Sequence, residues 1–525
     1  MLPEQKSDHQ DSRAFQAATI RRTRGRCRGL TMSGEWKRGN RHGRVCGLAV
    51  LPLGILLCQQ ASASLLDLTG QYANAVEESA AAANQATYDT LLQGNGGPCA
   101  ALQRQASADC GGQTFLLFEN ARELVHTANE LTGQGPTDFS LGTDLAGLGT
   151  SLRWTAGEEF AAQESLTTEF VSGQLSTLAS RISALRGGAT GFFLAGTPAD
   201  TPLGLGASAD SAAGERYSPW GGFVNGSYGK GDKDATGNED GFDFDGYEFN
   251  AGADYRFNAN WVGGLLAGIT QREIDFQQEG ELVVDGDIET EGYSLMAFAL
   301  YYHDQWYASV GAGFQRMDFD LDRAIEYPSF NPAVESVDTR TLSDTSGDTW
   351  SVNAAAGYNI ALGPALNLEP YGRLDFADTR IDGFSERDIN NDAFQLRVER
   401  QDFRSLEAVA GLSLQYTATP SFGVLIPFAS AEYHHQFEDE SRDITAVYNA
   451  VDLGPEARFR VATDPLDQNY AVFSAGLSAV LRGGRQRSLD GEIHGGLQGF
   501  ISYRSIQGLQ YYSHDIISAG LRYEF

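Results

Sequence analysis

Eight histidines are scattered along the 525 residues, and none falls in the His-Glu-x-x-His pattern that sets two imidazoles on one helix face around zinc. His434 and His435 stand together at the end of an alternating segment, just ahead of Glu438 and Asp439. An imidazole beside a carboxylate could activate water for hydrolysis. Adjacent strand residues point to opposite faces, so the two histidines cannot line one site. The acidic run from Asp232 to Asp245 offers oxygens that suit a hard cation such as Ca²⁺. It lacks the full Asp-x-Asp-x-Asp-Gly loop with its distal Glu and reads as solvated loop. A Gly-x-Ser-x-Gly elbow and a Gly-Asp-Ser-Leu motif are both missing. These residues predict no catalytic site, no metal and no cofactor, and the expectation is that the chain is not an enzyme.

The cysteines speak to compartment instead. Lys37, Arg38, Arg41 and Arg44 precede an apolar stretch from Gly47 to Cys58. Ala61, Ser62 and Ala63 then supply small residues for signal-peptidase cleavage between Ala63 and Ser64. Residues 1–31 are polar and Met32 is better placed to begin a signal peptide, so the segment before it reads as an over-long frame. Cys58 follows Leu57 rather than a small residue, which favours removal over a lipid anchor. Two of the five cysteines survive such a cut. An even count in an exported chain predicts a Cys99–Cys110 disulfide, and with no histidine between them the pair makes a poor zinc site.

Asp and Glu number 69 against 38 Lys and Arg, a formal charge of -31 that nucleic-acid phosphates would repel. Mean hydropathy is -0.30, and no run of about 18 apolar residues follows the export segment, so membrane helices are excluded. A membrane barrel of alternating polar and apolar residues is not. At the C-terminus Ile517, Ala519, Leu521, Tyr523 and Phe525 share one face, with Ser518, Gly520, Arg522 and Glu524 on the other. The ribbon Tyr247, Phe249, Ala251, Ala253, Tyr255 and Phe257 alternates with Glu248, Asn250, Gly252, Asp254 and Arg256. Burying that second set in a dry core would strand charges at great cost, whereas a wet lumen accepts them.

The period of two predicts twelve strands near 217–229, 242–257, 260–275, 287–302, 305–321, 347–361, 366–381, 402–417, 421–437, 468–482, 488–504 and 510–525. Their connections alternate between tight turns and long acidic segments at 322–346, 382–401 and 438–467. Short turns belong to the periplasmic rim and long loops to the outside. Upstream the period is 3.6. Helices are expected over 65–92, 114–131 and 155–185, with 133–149 a loop and 189–216 a Gly-, Ala- and Pro-rich linker. The third helix mixes an apolar stripe (Leu166, Phe170, Leu175, Leu178, Ile182 and Leu185) with Thr168, Ser172, Ser176, Ser180 and Arg181. The predicted organisation is an extension and signal peptide at 1–63, a helical segment at 64–150, a long helix and linker at 151–216, and an all-β barrel at 217–525.

Trp220-Gly-Gly-Phe-Val-Asn-Gly-Ser-Tyr-Gly, the ribbon from Gly246 to Arg256 followed by Asn260-Trp-Val-Gly-Gly, and the terminal Leu521-Arg-Tyr-Glu-Phe resemble the β-domain of classical, type V autotransporters. Gln174-Leu-Ser-Thr-Leu-Ala-Ser-Arg-Ile resembles that family's pore-threading linker helix. The resemblance implies a monomeric twelve-stranded barrel in the outer membrane of a Gram-negative bacterium, in contact with its lipid. Periplasmic chaperones and the barrel assembly machinery would insert it, reading Leu521, Tyr523 and Phe525 as the terminal signal. The barrel would export its own N-terminal passenger to the cell surface. The passenger at 64–150 departs from the long solenoids and hydrolase domains usual in the family, so its activity is unassigned. The alternative is a free-standing barrel, a pore or membrane-embedded hydrolase, with a periplasmic helical module.

Overall fold

A strand that is apolar on one face and polar on the other satisfies both lipid and water only if its edges close on themselves. The computed structural model describes residues 64–92, 98–99, 110–186, 219–276, 286–421, 423–438, 441–482 and 496–524. Ala63, the expected signal peptide and Phe525 lie outside these residues. Twelve long antiparallel strands close into a barrel: β1 (Trp220–Lys233), β2 (Phe242–Arg256), β3 (Trp261–Phe276), β4 (Gly286–His303), β5 (Trp306–Tyr327), β6 (Val337–Tyr358), β7 (Leu366–Ile381), β8 (Gln401–Tyr416), β9 (Val424–Gln436), β10 (Asn469–Arg482), β11 (Gly496–Gln507) and β12 (Tyr512–Glu524). Closure is the pairing of β1 with β12, from Gly221 opposite Glu524 to Lys233 opposite Tyr512.

Outward residues form an apolar belt edged by aromatics. On β2 it runs from Tyr247 to Tyr255, about nine residues, within the ~9–11 that a tilted strand needs to cross a bilayer. At the short-turn rim Trp220 meets Tyr255 edge-on, and Trp261 and Trp306 meet Tyr301 at tilted angles. Above the belt the outward residues turn acidic. Register sets Asp275 opposite Asp243 and Asp287, and Glu273 opposite Asp245 and Glu289. Like charges directly opposed repel, so these rows belong in salt and water rather than lipid.

β5 and β6 are 22 residues each and rise well beyond the belt. The helices α1 (Ala75–Leu92), α2 (Gln113–Thr132) and α3 (Leu145–Trp154) pack on this outer extension, and α4 (Ala162–Arg186) follows them. Ser64 caps a short 3₁₀ turn, Leu65–Leu68, and Gly70 at φ +78° then turns the chain, so the first expected helix begins only at Ala75. α3 occupies a segment expected to be loop. Asp144 accepts from the Gly147 N–H at its start, and a Cβ at Gly149 would meet the Glu77 carboxylate at 2.3 Å, so Gly149 lets α3 pack closely on α1.

The expected long loops are also partly ordered. Phe384–Ser385, Leu396–Val398, Asp443–Tyr448 and Arg458–Ala462 form a second, four-stranded sheet over the outer rim. Leu65, Leu117 and Phe118 of the helices, Ile325 and Tyr327 of β5, and Leu396, Tyr448 and Phe459 of the loops share one continuous buried core. The helical segment therefore has no core of its own; it is one half of a cap whose other half is barrel loop.

Cys99 and Cys110 are bonded to each other at the edge of this cap, with Cα atoms 4.9 Å apart, and the Cys99 N–H donates to the Leu91 carbonyl at the end of α1. A closed loop of this length is worth about 3 kcal/mol in chain entropy. Cys99→Ser is expected to destabilise the cap by about that amount, read as a lower urea midpoint for protease cleavage of the helical segment, with the barrel midpoint unchanged.

Candidate functional site

The barrel bore is occupied by α4. Its 25 residues rise about 37 Å, enough to cross the belt, with Ala162 at the outer end and Arg186 at the short-turn end. Val171, Leu175, Leu178, Ile182 and Leu185 pack on inward Phe223, Val262, Leu266, Met296, Phe298 and Leu300. The polar side meets the acids and amides of β1 and β2. Gln174 Nε2 donates to Glu248 at 2.7 Å and to Asn250 at 2.5 Å. Thr177 Oγ1 accepts from Asn225 at 3.1 Å and Asn250 at 3.2 Å. Arg181 grips Asp254 at 2.6–2.7 Å and lies over the Phe223 ring. Two glycines allow the approach: a Cβ at Gly173 would meet Glu248 at 2.0 Å, and one at Gly268 would meet Gln174 at 2.3 Å. Ser176 lies on the opposite, cavity-lined side of the helix.

At the outer mouth, Glu164 receives the Arg442 guanidinium at 2.7 Å and Gln163 accepts from Gln401 at 2.8 Å. Arg153 bridges the buried Glu158 and Asp240, which ties the turn above α4 to the β1–β2 loop. Burial pushes the carboxyls of Glu158 and Asp240 up from the ordinary range, and that of Glu159 to about 7. Deeper in the cap, Arg323 holds Glu386 bidentately at 2.7–2.8 Å and donates to the Trp154 carbonyl.

On α2, burial pushes Glu123 up to about 8 and pushes His126 down to about 4, the second aided by Arg122. The two act in opposite directions. A raised carboxyl contributes stability that is full below about 4.5 and lost as pH rises through 8. A depressed imidazole contributes stability that is full above about 6.5 and lost as pH falls through 4. Glu123→Gln is expected to stabilise the cap at pH 9, on the order of 2 kcal/mol, and to change little below pH 4.5, measured by urea midpoints across pH.

The residues singled out in sequence fall as follows. His434 is buried in the lumen and His435 lies on the outer face, as strand geometry requires. The carboxylates that His434 meets are not the expected Glu438, and Asp439 lies outside the described residues. Nδ1 meets Glu407 at 2.7 Å, Nε2 meets Glu432 at 3.0 Å, and the ring stacks on Tyr470. Glu432 also meets Arg373 and Tyr371. With both nitrogens engaged, the imidazole is a structural bridge between β8 and β9. Among the described residues no group of His, Cys, Asp or Glu is arranged to hold a metal ion. Of the terminal signal, Leu521 faces outward, on the same face as Ile517, while inward Arg522 donates to the Ser180 hydroxyl at 2.8 Å. Sequence alone missed Asn225, Glu164 and Arg442 at the helix. The inward polar face of β1 was the available signal for Asn225; Glu164 and Arg442 carried none.

A closed barrel with an apolar outer belt, whose bore holds a helix from its own N-terminal side, defines an outer-membrane protein with a self-occupied pore. A family model described as Autotransporter beta-domain matches residues 222–489. The chain belongs to the autotransporter β-domain family, and its barrel lies in the outer membrane of a Gram-negative bacterium. It is 26% identical over 274 residues to Esterase EstA of Pseudomonas aeruginosa, covering 50% of this chain and 39% of that protein. It is 23% identical over 246 residues to Lipase 1 of Photorhabdus luminescens, covering 45% and 35%. The chain thus spans well under half the length of these curated relatives. The translocator domain of the autotransporter NalP from Neisseria meningitidis superposes with a TM-score of 0.42 at 16% identity, covering 58% of this chain and 89% of that one. The β-domain of Bordetella BrkA gives 0.37 at 16% identity, covering 59% and 100%.

The relatives correct one expectation. The chain was expected not to be an enzyme because the hydrolase motifs are missing. Proteins named as an esterase and a lipase match half of it, so those missing motifs do not decide the question.

Proposed function

We propose that this autotransporter barrel exports residues 64 to about 161 through its own bore and then keeps them as a cap on its outer rim. The observation that carries this reading is the shared core: buried residues of α1 and α2 and of the barrel's outer loops pack together, as Tyr448 does when its hydroxyl donates to Asn84 at 3.0 Å. The exported segment would complete its fold only on reaching the loops, which gives translocation a thermodynamic sink on the outer side. The polarity of α4, with its N-terminus at the long-loop end, supports this direction over a periplasmic module. In this reading signal peptidase cuts between Ala63 and Ser64, and periplasmic chaperones and the assembly machinery read Leu521, Tyr523 and Phe525.

Two measurements test it. Glu130 is exposed on α2, so a Glu130→Cys variant should react with a membrane-impermeant maleimide on intact cells. Labelling only after the outer membrane is broken would place the helices in the periplasm and refute the reading. Cysteines at Thr177 and Asn225, whose side chains touch, should crosslink on oxidation in the folded protein. Recovery of the helical segment as a separate soluble fragment in the medium would show that it is released rather than kept.

A further inference from the structure

α4 leans on the wall formed by β2 to β6, which leaves space along the opposite wall. Three cavities of about 200, 50 and 220 Å³ follow one another there from the outer mouth toward the periplasm. The outer and middle ones share Glu169; the middle and inner ones share Ser176, Ser180, Ser502, Arg504 and Ser518. That junction is built by register. Ser502 lies directly opposite Ser518, and Arg504 directly opposite Ser474, all on inward-facing positions.

Arg504 differs from the other arginines at this level. Arg272 meets Glu169 at 2.5 Å, Arg373 meets Asp375 at 2.5 Å, and Arg522 donates to Ser180. Arg504 makes no hydrogen bond or ion pair among the described residues. Glu248 and Glu432 lie within electrostatic reach of it, but Glu248 Oε1 accepts from Gln174 and Asn250, and Glu432 is held by Arg373, His434 and Tyr371. A half-buried guanidinium with no hydrogen-bonded partner leaves its planar fork of donors open, and that fork matches an oxyanion. Serine hydroxyls from two strands and from α4 supply the remaining donors.

We propose that the occupied bore binds a small inorganic oxyanion, such as phosphate, against the Arg504 guanidinium and the hydroxyls of Ser176, Ser180, Ser502 and Ser518. The site exists only while α4 contributes its two serines, so the proposal rests on the helix occupying the bore, and the Thr177/Asn225 crosslink reports that independently. The bound anion would add a further link between the helix and a wall that it otherwise meets only through scattered polar contacts, such as Arg522 to Ser180 and His514 to Glu169.

The test is titration of inorganic phosphate with the mature chain in detergent micelles, followed by ³¹P NMR line broadening. The wild-type protein should broaden the phosphate line saturably, Arg504→Gln should weaken binding by about tenfold or more, and Arg404→Gln, on the exposed outer face, should match wild type. If Arg504→Gln fails to give the heat-shifted band of a folded barrel, the Ser502→Ala/Ser518→Ala double variant decides. Binding weakened by about threefold or more supports the site, and wild-type binding overturns it. Absence of saturable broadening with the wild-type protein, or equal affinity in a folded Arg504→Gln variant, overturns it as well.

Discussion

Asp254→Ala is expected to open the pore. The Arg181–Asp254 pair joins α4 to β2 inside the bore, with side chains 1% and 4% exposed. Removing one partner of a buried ion pair costs about 3–5 kcal/mol. Here that cost falls on the docked state of α4 alone, because an undocked helix returns Arg181 to water. The equilibrium between docked and undocked helix should therefore move by a factor of roughly a hundred or more. Purified Asp254→Ala protein in planar bilayers should show frequent large conductance steps where wild type is nearly silent, and cells carrying it should become sensitive to bulky antibiotics. Arg181→Met with Asp254→Leu should restore most of the seal, since packed apolar side chains replace the pair without a stranded charge. A silent Asp254→Ala barrel would show that the pair does not hold the helix.

Glu386→Ala is expected to have a comparable effect on the cap. Glu386 accepts from Nε and Nη2 of Arg323, from the Thr341 hydroxyl at 2.9 Å and from the Leu396 N–H at 2.8 Å, and both charged side chains are at most 2% exposed. One carboxylate thus ties β5, β6 and the second sheet beneath the helices. Its loss should cost about 3–5 kcal/mol, largely from the stranded Arg323 and the orphaned Leu396 N–H. Protease should then cut the helical segment and the loops around residues 382–401 on intact cells, while the barrel still runs as a heat-shifted band. If cleavage is unchanged, or the barrel itself is lost, the cap and barrel are not separable in the way their cores suggest.

How much of this was legible depends on the range of each signal. The alternation of Tyr247 to Phe257 with Glu248 to Arg256 is local, and it placed lipid and lumen faces that the structure reproduces. The Ser- and Thr-rich side of α4 likewise announced a polar bore. Strand ends were less legible: β5 was expected to stop at 321 and β6 to begin at 347, yet they meet near Tyr327 and Val337. Ile325 and Tyr327 extend the strand because cap residues more than a hundred positions away bury them. The start of α3 was read as loop because residues 133–149 are rich in Gly, Thr and Asp, and the packing of Gly149 against Glu77 is a long-range contact that this composition does not show.

The sequence by itself determined that this chain is an exported outer-membrane barrel with a helix fit for a polar lumen. Hydrophobic period, turn length and export signals are properties of neighbouring residues, and they hold before any long-range contact forms. The tertiary structure alone decided that the helical segment and the outer loops share one core, that His434 is clamped by Glu407 and Glu432, and that Arg504 is left facing serines across a cavity. Those outcomes depend on register, on barrel closure and on the depth of α4, each of which brings together residues tens to hundreds of positions apart. No local pattern encodes which of many inward charges will find a partner, because the answer rests on how one closed ring of strands is staggered around one helix.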